Sequence, residues 1–127
     1  MNQGKAAEKA GAEINALPPI DWKLCIKLAN NKIAVAQEIL LLVIQQLPAE
    51  LEAIKQAQAR ADYAELLRRV HKLHGALCYS GMPRLKNAVA HLESVLKQDN
   101  IDNAQLIELS RRMETEAQTV LASKLPC

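Results

Sequence analysis

"LLRRVHKLHGALCYSGMPRLKNAVAHLES", residues Leu66 to Ser94, carries two apolar stripes on either side of one break. Leu66, Val70, Leu73 and Leu77 recur at three-or-four spacing, as do Leu85, Val89, Leu92 and Leu96, so each run reads as a helix with one buried face. Between them Ser80-Gly81 supplies a stop, with Gly81 suited to the left-handed position after a helix. Pro83 follows at a first-turn position, where its missing N–H is harmless. The stretch is a helical hairpin.

Working outward, the same periodicity fills the rest of the chain. Asp62 caps the helix that carries Leu66, and Asp102 with Gln105 marks the start of a last helix through about Ser123. Upstream, Ala36, Leu40, Val43, Leu47, Leu51 and Ile54 form one long stripe from near Lys32 to about Arg60. Pro48 lies inside it and predicts a kinked helix rather than two helices. Asp21 caps a short helix to about Ala29, and Asn30-Asn31 breaks the chain after it. The expected fold is all-α: an antiparallel four-helix bundle with a short additional N-terminal helix covering one end. Residues 1–19 read as a linker or leader ending in Pro18-Pro19, and 20–127 as one bundle domain.

Composition agrees. Of 127 residues, 50% are hydrophobic but only 2% aromatic, with no Phe. A core of Ala, Leu, Ile and Val suits packed helices. The net charge of +2 is balanced in sign, without the clustered basic stripe that nucleic-acid binding requires. No apolar run reads as a membrane span. Cys25, Cys78 and Cys127 form no CxxC and read as reduced thiols of a cytosolic protein, expected to be a monomer.

The chemistry is expected on the third helix. On a helical wheel His71 lies far from the Leu66–Leu77 stripe and faces solvent, while His74 turns toward the core edge. Gly75, one turn beyond His71, weakens the helix by about 1 kcal/mol relative to Ala. It clears space beside the imidazole, which suits the close approach of another macromolecule. Leu67 and Ala64 precede His71 on this face and Cys78 follows it, forming an apolar rim. No Asp or Glu in this segment orients His71 as a general base, and the chain contains no P-loop, GxSxG or HExxH. What remains is the imidazole as a nucleophile toward phosphorus. Arg68, Lys72, Arg84 and Lys86 supply cationic charge nearby. Two rivals stand beside this reading. One is a zinc site of His71, His74 and Cys78, with His91 as a possible fourth ligand, although three ligands on one helix string out along about 10 Å. The other is a helical interaction module without chemistry.

"VHKLHGALCYSGMPRLKNAVAHLE", Val70 to Glu93, resembles the signature of histidine-containing phosphotransfer (HPt) domains. The matching positions are His71, Leu73, His74, Gly75, Gly81 and Leu92-Glu93. His74 stands where the family more often has lysine, and a lysine would be permanently cationic. With "YSGMPRLKNA" after it and "IDWKLCIKLANNK" opening the domain, the chain is similar to the C-terminal HPt module of tripartite hybrid sensor kinases of the BarA and GacS kind. The resemblance implies that His71 accepts a phosphoryl group, through Nε2, from the aspartyl phosphate of a receiver domain. It implies transfer onward to the receiver domain of a response regulator. Lys72, His74, Gly75 and Arg84 would support the site, and Ala64, Leu67, Arg68 and Cys78 would meet the partner. No cofactor of its own is expected, and Mg²⁺ would belong to the partner receiver. Autonomous kinase activity is not expected.

Overall fold

The computed structural model describes residues 16–125, in which five helices and no strand occur. They are α1 (Trp22–Leu28), α2 (Ile33–Ala59), α3 (Tyr63–Leu77), α4 (Pro83–Leu96) and α5 (Asn103–Ala122). The expected all-α bundle with its short extra helix is what the chain forms. The first 15 residues of the expected leader, and Cys127, lie outside the described residues.

Side chains at the helix starts explain their positions. The carboxylates of Asp21, Asp62 and Asp102 accept hydrogen bonds from the backbone N–H groups of Leu24, Glu65 and Ala104, satisfying donors that a helix leaves unpaired. Two helices end alike. Asn31 N–H donates to the Ile26 carbonyl and Asn30 N–H to that of Lys27; Asp62 N–H donates to Ala57 and Ala61 N–H to Gln58. These are Schellman closures, and they put Asn30 at φ 57° and Ala61 at φ 54°. Asn tolerates that conformation better than Ala does.

α2 runs unbroken through Pro48, since its Ala36–Ala57 stripe remains buried on both sides of it. By length and composition α2 is apolar enough to cross a membrane, although its apolar residues are interrupted by polar ones. Its stripe joins the core cluster with those of α3, α4 and α5, and a core helix of a globular domain passes the same test. α2 packs on α3, α3 on α4, α4 on α5, and α5 returns to α2, while α1 lies against α2.

α3 ends at Leu77, a turn earlier than Ser80-Gly81, because the chain turns over 78–81 before Met82 caps α4. Gly81 is needed there for two reasons. Its φ is +67°, and an added Cβ would stand 2.5 Å from Cys25 Sγ and 2.9 Å from the backbone of Asp21 and Cys25. α1 is pinned to that turn: Asp21 N–H donates to the Gly81 carbonyl at 2.9 Å, and the Cys25 thiol to the Ser80 carbonyl at 3.0 Å. The α3–α4 hairpin is thereby clamped at its closed end.

Candidate functional site

Ala64, Leu67, His71, Gly75 and Cys78 follow one another along a single face of α3 at three-or-four spacing. Ala64 is exposed and Leu67 half-buried. The His71 side chain is 70% exposed, far more than the 26% of His74. The wheel's division of the two histidines is therefore what the fold displays. At Gly75 an added Cβ would meet nothing within 4 Å, so no contact among the described residues requires a glycine. Half-buried Cys78 ends the row at a groove of about 370 Å³, bounded by Leu24 and Leu28 of α1 and by Met82 and Pro83.

The residue that organises the site is Glu93 of α4, to which the sequence reading gave no role. Its side chain is only 8% exposed. Oε2 lies 2.6 Å from His71 Nδ1 and Oε1 lies 2.9 Å from His74 Nδ1. An ionised carboxylate only accepts hydrogen bonds, so each Nδ1 donates. Burial alone pushes the Glu93 carboxyl up. The hydrogen bonds from His71 and His74, with the charge of Lys97 3.9 Å away, outweigh it and hold the group below its ordinary value. The expectation that no acid orients His71 is thus corrected. The acid comes from the neighbouring helix, not from His71's own. A signal was present: in an antiparallel hairpin turning at Met82, residues equidistant from the turn face one another. His71 stands eleven positions before Met82 and Glu93 eleven after.

The cations are distributed differently from the sequence expectation. Arg84 does not reach His71. Its Nη2 donates to Glu116 Oε1 of α5 at 3.0 Å, and both side chains are largely buried. It stands nine positions before Glu93, about 13 Å along the helix. Arg68 grips Glu65 through two hydrogen bonds of 2.9 and 2.6 Å. Together with Arg69, it lowers the Glu65 carboxyl to about 2. Lys72 Nζ lies 3.6 Å from Glu50 Oε1 of α2 and is otherwise exposed. Lys86 is exposed on α4 beside the groove. The cation beside the His–Glu cluster is Lys97, one turn beyond Glu93.

The zinc alternative finds no support. The described residues contain no group of three or more His, Cys, Asp or Glu placed to hold a metal ion. Both Nδ1 atoms are turned to Glu93, and the proposed fourth ligand, His91, accepts through Nδ1 from Arg112 at 3.2 Å.

What the arrangement offers is one exposed imidazole whose inner nitrogen donates to a buried carboxylate. Its outer nitrogen, Nε2, keeps a lone pair on the far side of the ring. Comparison with known proteins agrees with that chemistry. The model of the Hpt domain family matches residues 38–123. The sensor histidine kinase GacS of Pseudomonas protegens is 38% identical over 126 residues, covering 93% of this chain and 13% of its own length. The signal transduction histidine-protein kinase BarA of Escherichia coli is 29% identical over 116 residues, covering 88% of this chain and 12% of its own length. The chain thus spans only a small part of the curated relatives it matches. A solved HPt domain from a Shewanella sensor hybrid histidine kinase superposes with a TM-score of 0.69 at 32% identity, over 86% of this chain and 97% of that one. The chain belongs to the Hpt domain family.

Proposed function

We propose that this Hpt domain is a phosphorelay intermediate in which His71 takes a phosphoryl group from a receiver-domain aspartate and passes it to the receiver domain of a response regulator. The observation that carries the proposal is the pairing of a 70% exposed imidazole with a buried carboxylate on its Nδ1. In the forward step the Nε2 lone pair attacks phosphorus. The bond between phosphorus and the aspartate oxygen breaks, and the aspartate leaves as a carboxylate. The Nδ1 proton stays in place, so positive charge develops on the ring and Glu93 offsets it. In the return step the same proton lets the ring leave as neutral imidazole. Lys72 and Lys97 supply the surrounding cationic charge, and Mg²⁺ sits on the receiver.

The partner approaches along the α3 face. Ala64, Leu67 and Cys78 give it apolar contact, Arg68 lies on its margin, and Gly75 leaves the side of the imidazole open. Homology to hybrid-kinase modules supports receiver domains as the partners. That the domain acts as a monomer in the cytoplasm is part of the same proposal.

The test is incubation with a phosphorylated receiver domain, scored for label that is acid-labile and alkali-stable. The wild-type domain takes up such label and His71→Gln takes up none. Undiminished labelling of His71→Gln would displace the phosphoacceptor to another residue.

A further inference from the structure

The second histidine of the cluster has no part in the transfer just described, yet it occupies half of the carboxylate on which that transfer depends. Glu93 has two oxygens, and each is committed: Oε2 to His71 and Oε1 to His74. His74 is three-quarters buried and aims Nδ1 at Glu93 across the α3–α4 interface. The charged or titratable groups facing Glu93 among the described residues are His71 and His74 of α3 and, on its own helix, Lys97. Lys97 is 58% exposed and stands at 3.9 Å, too long for a hydrogen bond. His74 is therefore the close donor, other than the reacting imidazole itself, that holds the carboxylate in place.

We propose that His74 is a positioning residue that acts through Glu93: it anchors Oε1 so that Oε2 stays on Nδ1 of His71, and thereby selects Nε2 of His71 as the nucleophile. This rests on His71 being the phosphoacceptor. Without an anchor on Oε1, the Glu93 side chain is free to rotate toward Lys97 and solvent. His71 then loses the partner that keeps its proton on Nδ1, and both ring tautomers become populated. A neutral imidazole in solution has no such constraint, so the tautomer reports directly on the coupling.

Asparagine places its side-chain N–H close to where a histidine places Nδ1–H, whereas leucine fills the space without a donor. Long-range 1H–15N NMR of the unphosphorylated domain reads the His71 tautomer, and phosphoramidate, a small phosphoryl donor, reads intrinsic uptake at the ring. In the wild-type protein and in His74→Asn, His71 is held as the Nδ1–H tautomer and the product is Nε2-phosphohistidine. In His74→Leu the tautomers mix, Nδ1-phosphohistidine appears, and the rate falls by roughly tenfold, the kinetic equivalent of about one hydrogen bond. Because the effect runs through Glu93, His74→Leu adds nothing in a Glu93→Gln background.

A His74→Leu protein with wild-type tautomer and rate would overturn the proposal. So would equal loss in the Asn and Leu variants, or additive losses in the double variant. Should His74→Leu not fold, His74→Met, which likewise lacks a donor, takes its place in the same comparisons with wild type, with His74→Asn and in the Glu93→Gln background. If the tautomers respond as described but no phosphate reaches His71, the positioning role is supported and the phosphoacceptor reading is the one that fails, because the tautomer is measured without phosphate.

Discussion

Two glycines flank the hairpin, and they serve opposite ends. Gly81 answers to this chain: its φ of +67° and the crowding by Cys25 and Asp21 leave no room for a side chain. Gly81→Ala is expected to destabilise the domain by about 2 kcal/mol or more, combining left-handed strain with displacement of α1. Urea unfolding measures it. Gly75 answers to nothing among the described residues, since open space surrounds its Cβ position. Gly75→Ala is therefore expected to stabilise by about 1 kcal/mol, the helix-propensity difference. The same variant is expected to slow transfer from a phosphorylated receiver while phosphoramidate, being small, still labels His71. Equal slowing with both donors would assign Gly75 to the chemistry rather than to partner clearance. Glu93 adds a pH signature. Its folded-state value is held below the ordinary 4.5, so its contribution to stability is present above that pH and is lost as pH falls through the lower folded value. Thermal melts between pH 6 and about pH 3 are expected to fall less steeply for Glu93→Gln than for the wild type in that acid window.

Helix boundaries were legible because the residues that set them act locally. Asp21, Asp62, Asp102 and Pro83 each announce a start through chemistry confined to one turn. The Leu, Val and Ile stripes gave the core faces for the same reason. Glu93 was not legible from its own helix, where it is a polar residue between Leu92 and Ser94. Its role exists only once α3 and α4 are laid side by side. Arg84 was misplaced on the same ground. Closeness to the motif in sequence suggested closeness to His71, but the rise of α4 and the pull of Glu116 take it elsewhere. The end of α2 carries a feature that propensity would not choose, since Ala61 takes φ 54° in its Schellman closure. Ala61→Gly is expected to raise stability by roughly 1 kcal/mol, because glycine adopts that conformation without the Cβ penalty. A fall in the unfolding midpoint would instead mean that the Ala61 methyl makes packing contacts outweighing the strain.

On the scale of the bundle, two buried carboxylates tie α4 to its neighbours, and their tasks differ. Glu93 faces α3 and leaves one of its histidine partners, His71, 70% open to solvent, which suits chemistry. Glu116 of α5 faces Arg84, and that pair is buried on both sides, with 22% and 10% of the side chains exposed. A buried pair broken on one side leaves an uncompensated charge, which destabilises by about 3–5 kcal/mol in full burial. Arg84 retains some solvent, so about 2–3 kcal/mol is expected for Glu116→Ala. Replacing both partners with apolar residues of similar volume, as in Arg84→Met with Glu116→Leu, removes the desolvation penalty along with the attraction and is expected to restore most of the loss. Such a double variant also separates the two carboxylates functionally. If Arg84 serves the α4–α5 interface, the refolded double variant takes label on His71 from a phosphorylated receiver at close to the wild-type rate. A large drop in labelling, with stability recovered, would return Arg84 to the phosphoryl site and require the α4–α5 pair to open when the partner docks.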